Sequence, residues 1–250
     1  MAVKSLHVLY LGSQSGVDKS LMTFGVGAGE KMRSSFLSFL IQSDEANVLV
    51  DTGIHPDDIG LMAKDGPISL TPEDYLPQRL ASVGLSMDRI DIVIMTHLHG
   101  DHIGWLSQIP NAEVIVQKEE YKLAFDPLPY TRFFHHRLDS PKIKWKLIDM
   151  DYQLLPGITL LFTPGHTIGS QSVVIDLPHS GPIIISGDVG FLQENFQKEL
   201  IPTAFFDSRE ALLSIKRLNV WSSVKKAPIF TSHDMDYWQN VMIKPPDSYR

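Results

Sequence analysis

The run His97-Leu98-His99-Gly100-Asp101-His102 directly follows the apolar stretch Ile92-Val93-Ile94-Met95. A short apolar run of this kind reads as a buried strand, and the glycine marks a turn beyond its end. The chain must therefore fold so that a rigid, buried strand delivers three imidazoles and a carboxylate to one place. Groups of this type at this density hold divalent cations. Without a cation they would repel one another once protonated and add nothing to packing.

The same pattern of strand, small residue and then His or Asp recurs down the sequence. His166 follows Phe162-Thr163-Pro164-Gly165, Asp188 follows Ile185-Ser186-Gly187, and His233 follows Phe230-Thr231-Ser232. Asp51 stands after Val48-Leu49-Val50 in the same way. Any one of these alone reads as a turn aspartate or a hydrogen-bonded core histidine. Their recurrence points to several strand ends converging on one rim.

Strand-like runs cover Leu6 to Leu11, Phe36 to Ile41, Asn47 to Val50, Ile92 to Met95, Glu113 to Val116, Ile158 to Phe162, Ser172 to Ile175, Ile183 to Ile185 and Pro228 to Thr231. Thr71-Pro72-Glu73 predicts a capped helix that ends at Gly84, and Ser208-Arg209-Glu210 opens a second with Ala211, Ile215 and Leu218 on its apolar face. Asp101 to Gln108 and Lys118 to Phe125 are shorter helix candidates. Residues 12–34, 54–70 and 126–149 lack periodicity and are expected to be loops that wall a site. This order predicts two sheets covered by outer helices, and 250 residues suit a single domain spanning 1–250.

Composition narrows the function classes. A formal charge of -7 leaves no basic stripe for nucleic acid. The absence of cysteine excludes a disulfide framework, thiolate metal sites and a thiol nucleophile. No Gly-x-Ser-x-Gly elbow supports serine catalysis. No apolar stretch is long enough to span a bilayer, and Met1 to His7 lacks the pattern of a secretory leader, so a cytoplasmic protein is expected.

The His-x-His-x-Asp-His run, with His166, Asp188 and His233 in order and Asp51 upstream, resembles the metallo-β-lactamase superfamily over nearly the whole chain. The resemblance implies an α+β fold, an αββα sandwich with a dinuclear site at one edge of the two sheets. It implies that His97, His99 and His166 hold one metal, that Asp101, His102 and His233 hold the second, and that Asp188 bridges them. Asp51 would orient ligands by hydrogen bonds. A donor set of nitrogen and oxygen suits two zinc ions, with iron, cobalt or manganese also compatible. The implied reaction is hydrolysis by a metal-bridging hydroxide, with Asp101 relaying a proton to the leaving group.

Within the superfamily, Thr163 to Ser172, Glu194-Asn195-Phe196, Leu213 to Leu218 and Ser232-His233-Asp234 resemble the quorum-quenching N-acyl homoserine lactone lactonases. This implies a small-molecule lactone substrate, no nucleic-acid or membrane partner, and a monomer or homodimer. Another lactone, a thioester or a β-lactam would be alternative substrates, and a catalytically idle metal-containing binding protein the alternative class.

Two positions depart from the lactonase pattern. Phe191 stands where these enzymes usually carry a tyrosine that hydrogen-bonds the lactone oxygen, and phenylalanine has no donor. Gly100 replaces a residue that is often bulky, which implies a roomier pocket. Tyr121 or Tyr130 is the expected substitute hydroxyl, and Met22, Phe24, Met32 and Phe36 the candidate apolar wall for an acyl chain.

Overall fold

The computed structural model describes residues 3–126, 135–242 and 247–250. Among these residues twelve strands are formed: β1 (Val3–Asp18), β2 (Lys31–Ser43), β3 (Asn47–Val50), β4 (Ile68–Ser69), β5 (Ile92–Ile94), β6 (Glu113–Gln117), β7 (Lys144–Ile148), β8 (Tyr152–Leu155), β9 (Ile158–Phe162), β10 (Gln171–Leu177), β11 (Gly181–Ile185) and β12 (Ile229–Phe230). They make a seven-stranded sheet in the order β4-β1-β2-β3-β5-β6-β7 and a five-stranded sheet in the order β12-β11-β10-β9-β8.

Period-two alternation explains why the sheets stack. One apolar cluster joins Val8, Phe39, Val48, Val50, Ile94 and Ile115 of the first sheet to Leu160, Val173, Ile175, Ile183 and Ile185 of the second. The intervening residues Leu9, Leu40, Leu49, Val93, Val114 and Val116 face the opposite way and pack against Leu76, Leu80, Ile103 and Ala124 of the outer helices. On the far side of the second sheet, Leu161, Val174 and Ile184 pack on Ile215 and Leu218 of the helix Ser208–Lys225. The result is the expected αββα order of layers.

The topology also gathers the strand ends. β3, β5 and β6 run parallel, and β11 runs parallel to β12. β9 and β11 are both antiparallel to β10, so they share a direction. Asp51, His97, His166, Asp188 and His233 all follow the C-terminal ends of these strands.

Several expectations are corrected. The supposed loop 12–34 is strand at both ends: β1 and β2 continue to Asp18 and from Lys31, pairing Ser13 with Ser35 and Gln14 with Ser34. Polar residues there sit in a ladder interrupted by register shifts, which hid the period. β7 and β8 arise where no strand was expected. β7 is the edge of its sheet, and its Lys146 pairs with Glu113. The helix expected over 71–84 breaks at Tyr75, whose ψ of 141° is extended. The Thr71–Asp74 capping box closes a separate turn, and Pro77 cannot donate back to it, so the helix begins again at Leu76. The helix after the ligand run likewise splits into Gly100–Ile103 and a tighter turn at Leu106–Gln108.

Gly104, between those two pieces, fixes the ligand run against the end of β3. Its amide donates to Gly53 O at 2.8 Å, and a Cβ there would lie 2.3 Å from His55 N. Gly104→Ala is expected to destabilise the protein by about 1–3 kcal/mol through overpacking, read as a lowered denaturant midpoint at unchanged slope.

Candidate metal centre

Each buried histidine at this edge has its outer nitrogen occupied. Thr96 Oγ donates to Asp51 Oδ2 at 2.7 Å, so it accepts from His97 Nδ1 at 3.1 Å. His166 Nδ1 donates to Ala204 O at 2.9 Å, His102 Nδ1 to Asp51 Oδ2 at 2.8 Å, and His233 Nδ1 to Ser35 O at 2.8 Å. A hydrogen on Nδ1 leaves a lone pair on Nε2 in the neutral ring. All four Nε2 atoms then face one another.

Asp188 lies among them. Its Oδ2 is 3.6 Å from His97 Nε2, 3.4 Å from His102 Nε2, 3.4 Å from His166 Nε2 and 3.3 Å from His233 Nε2. Its Oδ1 accepts from Ser232 Oγ at 2.6 Å, which fixes the carboxylate plane. His166 Nε2 is 3.2 Å from His97 Nε2 and 3.0 Å from His99 Nδ1. Asp101 Oδ2 approaches His233 Nε2 at 3.6 Å and His102 Nε2 at 3.8 Å. The donors thus form the groups His97-His99-His166, His97-His102-Asp188 and Asp101-His102-His233.

The donor set fits metal ions. Lone pairs of His97 and His166 meet at hydrogen-bond distance with no hydrogen between them, and His102 Nε2 is buried with no hydrogen-bond partner. A cation satisfies both conditions at once.

Electrostatics divide the centre in two. Burial pushes His97 well below the ordinary imidazole range, and burial with the neighbouring His166 takes His99 to about 3. Burial also lowers His166. For His102 burial opposes charge, yet the carboxylates of Asp188, Asp51 and Asp101 outweigh it and raise the imidazole well above its usual value. His233 is raised in the same way by Asp188 and Asp101 against burial. Asp188 is held far below the carboxylate range because His102, His233 and His97 overcome its desolvation. The group containing His99 therefore gives up its protons more readily than an ordinary imidazole, whereas His102 and His233 hold theirs more tightly.

Asp51 organises the ring positions from behind. It is buried, accepts from Thr96 N at 2.8 Å as well as from Thr96 Oγ and His102 Nδ1, and has a φ of 57° that a non-glycine residue rarely adopts. Sequence reasoning missed its partner Thr96, and also Ser232 and Glu120. Glu120 is buried and its carboxylate accepts from Leu98 N at 2.9 Å and Gly169 N at 3.1 Å, tying the first ligand run to the loop of His166. The unusual burial of a glutamate carries no sequence pattern of its own. Ser34, also missed, lies beside His233.

The centre floors a cavity of about 330 Å³ lined by Met22, Phe36, His99, Asp101, His166, Asp188, Phe191 and His233 among others. Phe191 packs edge-on against His233 at 4.9 Å and His166 at 5.6 Å between ring centroids. Three expectations for the pocket change, and a fourth, Tyr130, lies outside the described residues. Phe24 is 56% exposed against Phe205 and lies outside this lining. Gly100 is buried at the start of its helix and is not part of the lining either. Tyr121 packs on Phe125 and Trp145 instead of reaching the cavity.

Comparison with known proteins agrees with this geometry. The metallo-beta-lactamase superfamily pattern matches residues 37–224. An N-acyl homoserine lactonase from a Bacillus species is 33% identical over 98% of this chain and 99% of its own length, and one from Bacillus thuringiensis subsp. kurstaki is 32% identical over the same shares. A solved N-acyl homoserine lactone hydrolase, with the product N-hexanoyl-L-homoserine at its catalytic metal centre, superposes with a TM-score of 0.88 at 32% identity and covers 100% of both chains. No helix among the described residues is long and apolar enough to cross a membrane.

Two outcomes are expected. Loading the metal-free protein near neutral pH should release protons from the His102 and His233 side, so the calorimetric heat varies with the ionisation enthalpy of the buffer and metal affinity falls as pH is lowered. Asp51→Asn, which weakens the acceptor behind His102, should reduce metal affinity by about 10- to 100-fold in competition with a chelating dye.

Proposed function

The chain belongs to the metallo-beta-lactamase superfamily and, within it, to the N-acyl homoserine lactonase family, and from that premise we propose that it opens the lactone ring of N-acyl homoserine lactones by metal-dependent hydrolysis. The observation that carries this reading is the single carboxylate oxygen of Asp188 within 3.3–3.6 Å of four imidazole nitrogens at the floor of a cavity. The centre binds divalent metal. Two ions fit the donor groups: His97, His99 and His166 for one, Asp101, His102 and His233 for the other, with Asp188 between them. Zinc suits imidazole and carboxylate donors without sulfur. When bound, the ions supply Lewis acidity and bring the pKa of water from about 15.7 towards neutrality.

The chain's own side chains do the rest. Met22, Phe36 and Phe191 give one wall of the cavity an apolar surface suited to the acyl chain, while the carboxylates and imidazoles form its floor. Asp101 lines the cavity and is less buried than Asp188, so its carboxylate can meet the reacting groups. Water adds to the lactone carbonyl carbon, and Asp101 takes the proton that water loses. The ring carbon–oxygen bond then breaks, and Asp101 returns the proton to the departing alkoxide. The product is the open N-acyl homoserine, with one water consumed.

A panel of lactones, thioesters and β-lactams, followed with a pH indicator or by chromogenic release, tests the reading. Turnover of N-acyl homoserine lactones is expected to exceed that of the other classes, to vanish after exhaustive chelation, and to return on adding zinc. Retained turnover in a metal-stripped sample, or preference for a thioester, overturns it.

A further inference from the structure

The geometry points to Ser34 as the side chain that donates a hydrogen bond to a substrate oxygen in this cavity, an assignment that rests on the lactonase reading and adds to it a residue that positions the lactone.

Phe191 offers no donor, which leaves that role to the hydroxyl and amide side chains of the cavity. Three such side chains line it among the described residues: Gln14, Ser34 and Thr203. Gln14 commits both hydrogens of its amide, to Met62 O at 3.3 Å and Gly66 O at 3.0 Å. Thr203 gives its hydroxyl hydrogen to Ser20 O. Ser34 differs. It is 3% exposed, and its Oγ stands 3.2 Å from His233 Nδ1.

The direction of that contact follows from Ser35. His233 Nδ1 is 2.8 Å from Ser35 O, and a carbonyl oxygen can only accept, so Nδ1 carries the hydrogen. Ser34 Oγ therefore shares this hydrogen as a second acceptor. Its own hydrogen has no acceptor among the described residues. A buried hydroxyl that lines a cavity with an unspent hydrogen is poised for an oxygen that enters the cavity.

The backbone puts this hydroxyl beside the chemistry. Ser35 N donates to His233 O at 3.3 Å, and His233 N donates to Phe191 O at 3.2 Å. Ser34 and Phe191 thus flank His233, and the lactone or amide carbonyl of a substrate held over Asp101 and Asp188 comes within range of Ser34. The contact matters most as charge gathers on the carbonyl oxygen, because a fixed donor needs no reorganisation there.

The experiment compares wild type, Ser34→Ala, Ser34→Thr and Ser34→Ala/Phe191→Tyr, each loaded with zinc. Ser34→Ala should lower kcat/KM for N-hexanoyl homoserine lactone by about tenfold or more and weaken binding of the product N-hexanoyl-L-homoserine in calorimetry, with metal content unchanged. Ser34→Thr should retain most activity, and Phe191→Tyr should restore part of what Ser34→Ala loses. Undiminished turnover and product affinity in Ser34→Ala overturn the assignment. So does loss of metal from Ser34→Ala, which would make the serine a support for His233 alone. If Ser34→Ala fails to fold, Ser34→Cys, a weaker donor of similar size, carries the same comparison. Lactone turnover by wild type with no effect of Ser34 substitution leaves the lactonase reading standing and removes only this residue; no lactone turnover by wild type removes both.

Discussion

Burying four imidazoles at the seam of two sheets is unfavourable unless every ring nitrogen has a use, and the rest of the edge is arranged around that constraint. The outer nitrogens of His97, His102, His166 and His233 are held by Thr96, Asp51, Ala204 and Ser35. The inner ones turn on Asp188. Once Nδ1 is fixed, each of these rings has one orientation, so its Nε2 is aimed at the centre before any cation arrives. This preorganisation is stored in backbone and side-chain acceptors from both sheets. The outlying conformation of Asp51, with φ 57°, belongs to the same arrangement, because three of its hydrogen bonds hold it there.

Much of this was legible in the sequence for a physical reason. A metal centre concentrates rare residue types at the ends of apolar runs, and both signals are local. His97 to His102, His166, Asp188, His233 and Asp51 stood out because each follows a strand that a short apolar run reveals. The layer order was legible for the same reason. What escaped was tertiary in origin. The outer halves of β1 and β2 are mostly polar and become strand by pairing with each other. β7 and β8 lie at sheet edges, where only one flank needs apolar residues. The break at Tyr75 depends on a capping box closing ahead of a proline.

The substrate side of the centre is less legible in the sequence than the metal side. Ligands are defined by donor chemistry, which residue type encodes directly. Pocket walls are defined by which way a side chain points. Phe24 and Met22 lie two residues apart, yet Met22 is buried in the cavity wall and Phe24 is turned to solvent against Phe205. Tyr121 looked like a hydroxyl for the site and is instead clasped by Phe125 and Trp145. Ser34 looked like filler in an irregular stretch and sits beside a metal-facing imidazole.

One consequence concerns assembly of the molecule over time. His233 reaches back to Ser35, a separation of 198 residues, and Ser34 forms an isolated bridge with Asp234. On a ribosome the chain makes His97, His99 and His166 long before His233. An early cation can be chelated by the nascent segment only with part of its eventual coordination. Full occupancy waits for a loop of nearly the whole polypeptide to close, the slowest kind of contact to form. The edge is thus clasped by the two ends of the fold, through contacts of long sequence separation between Ser34-Ser35 and His233-Asp234.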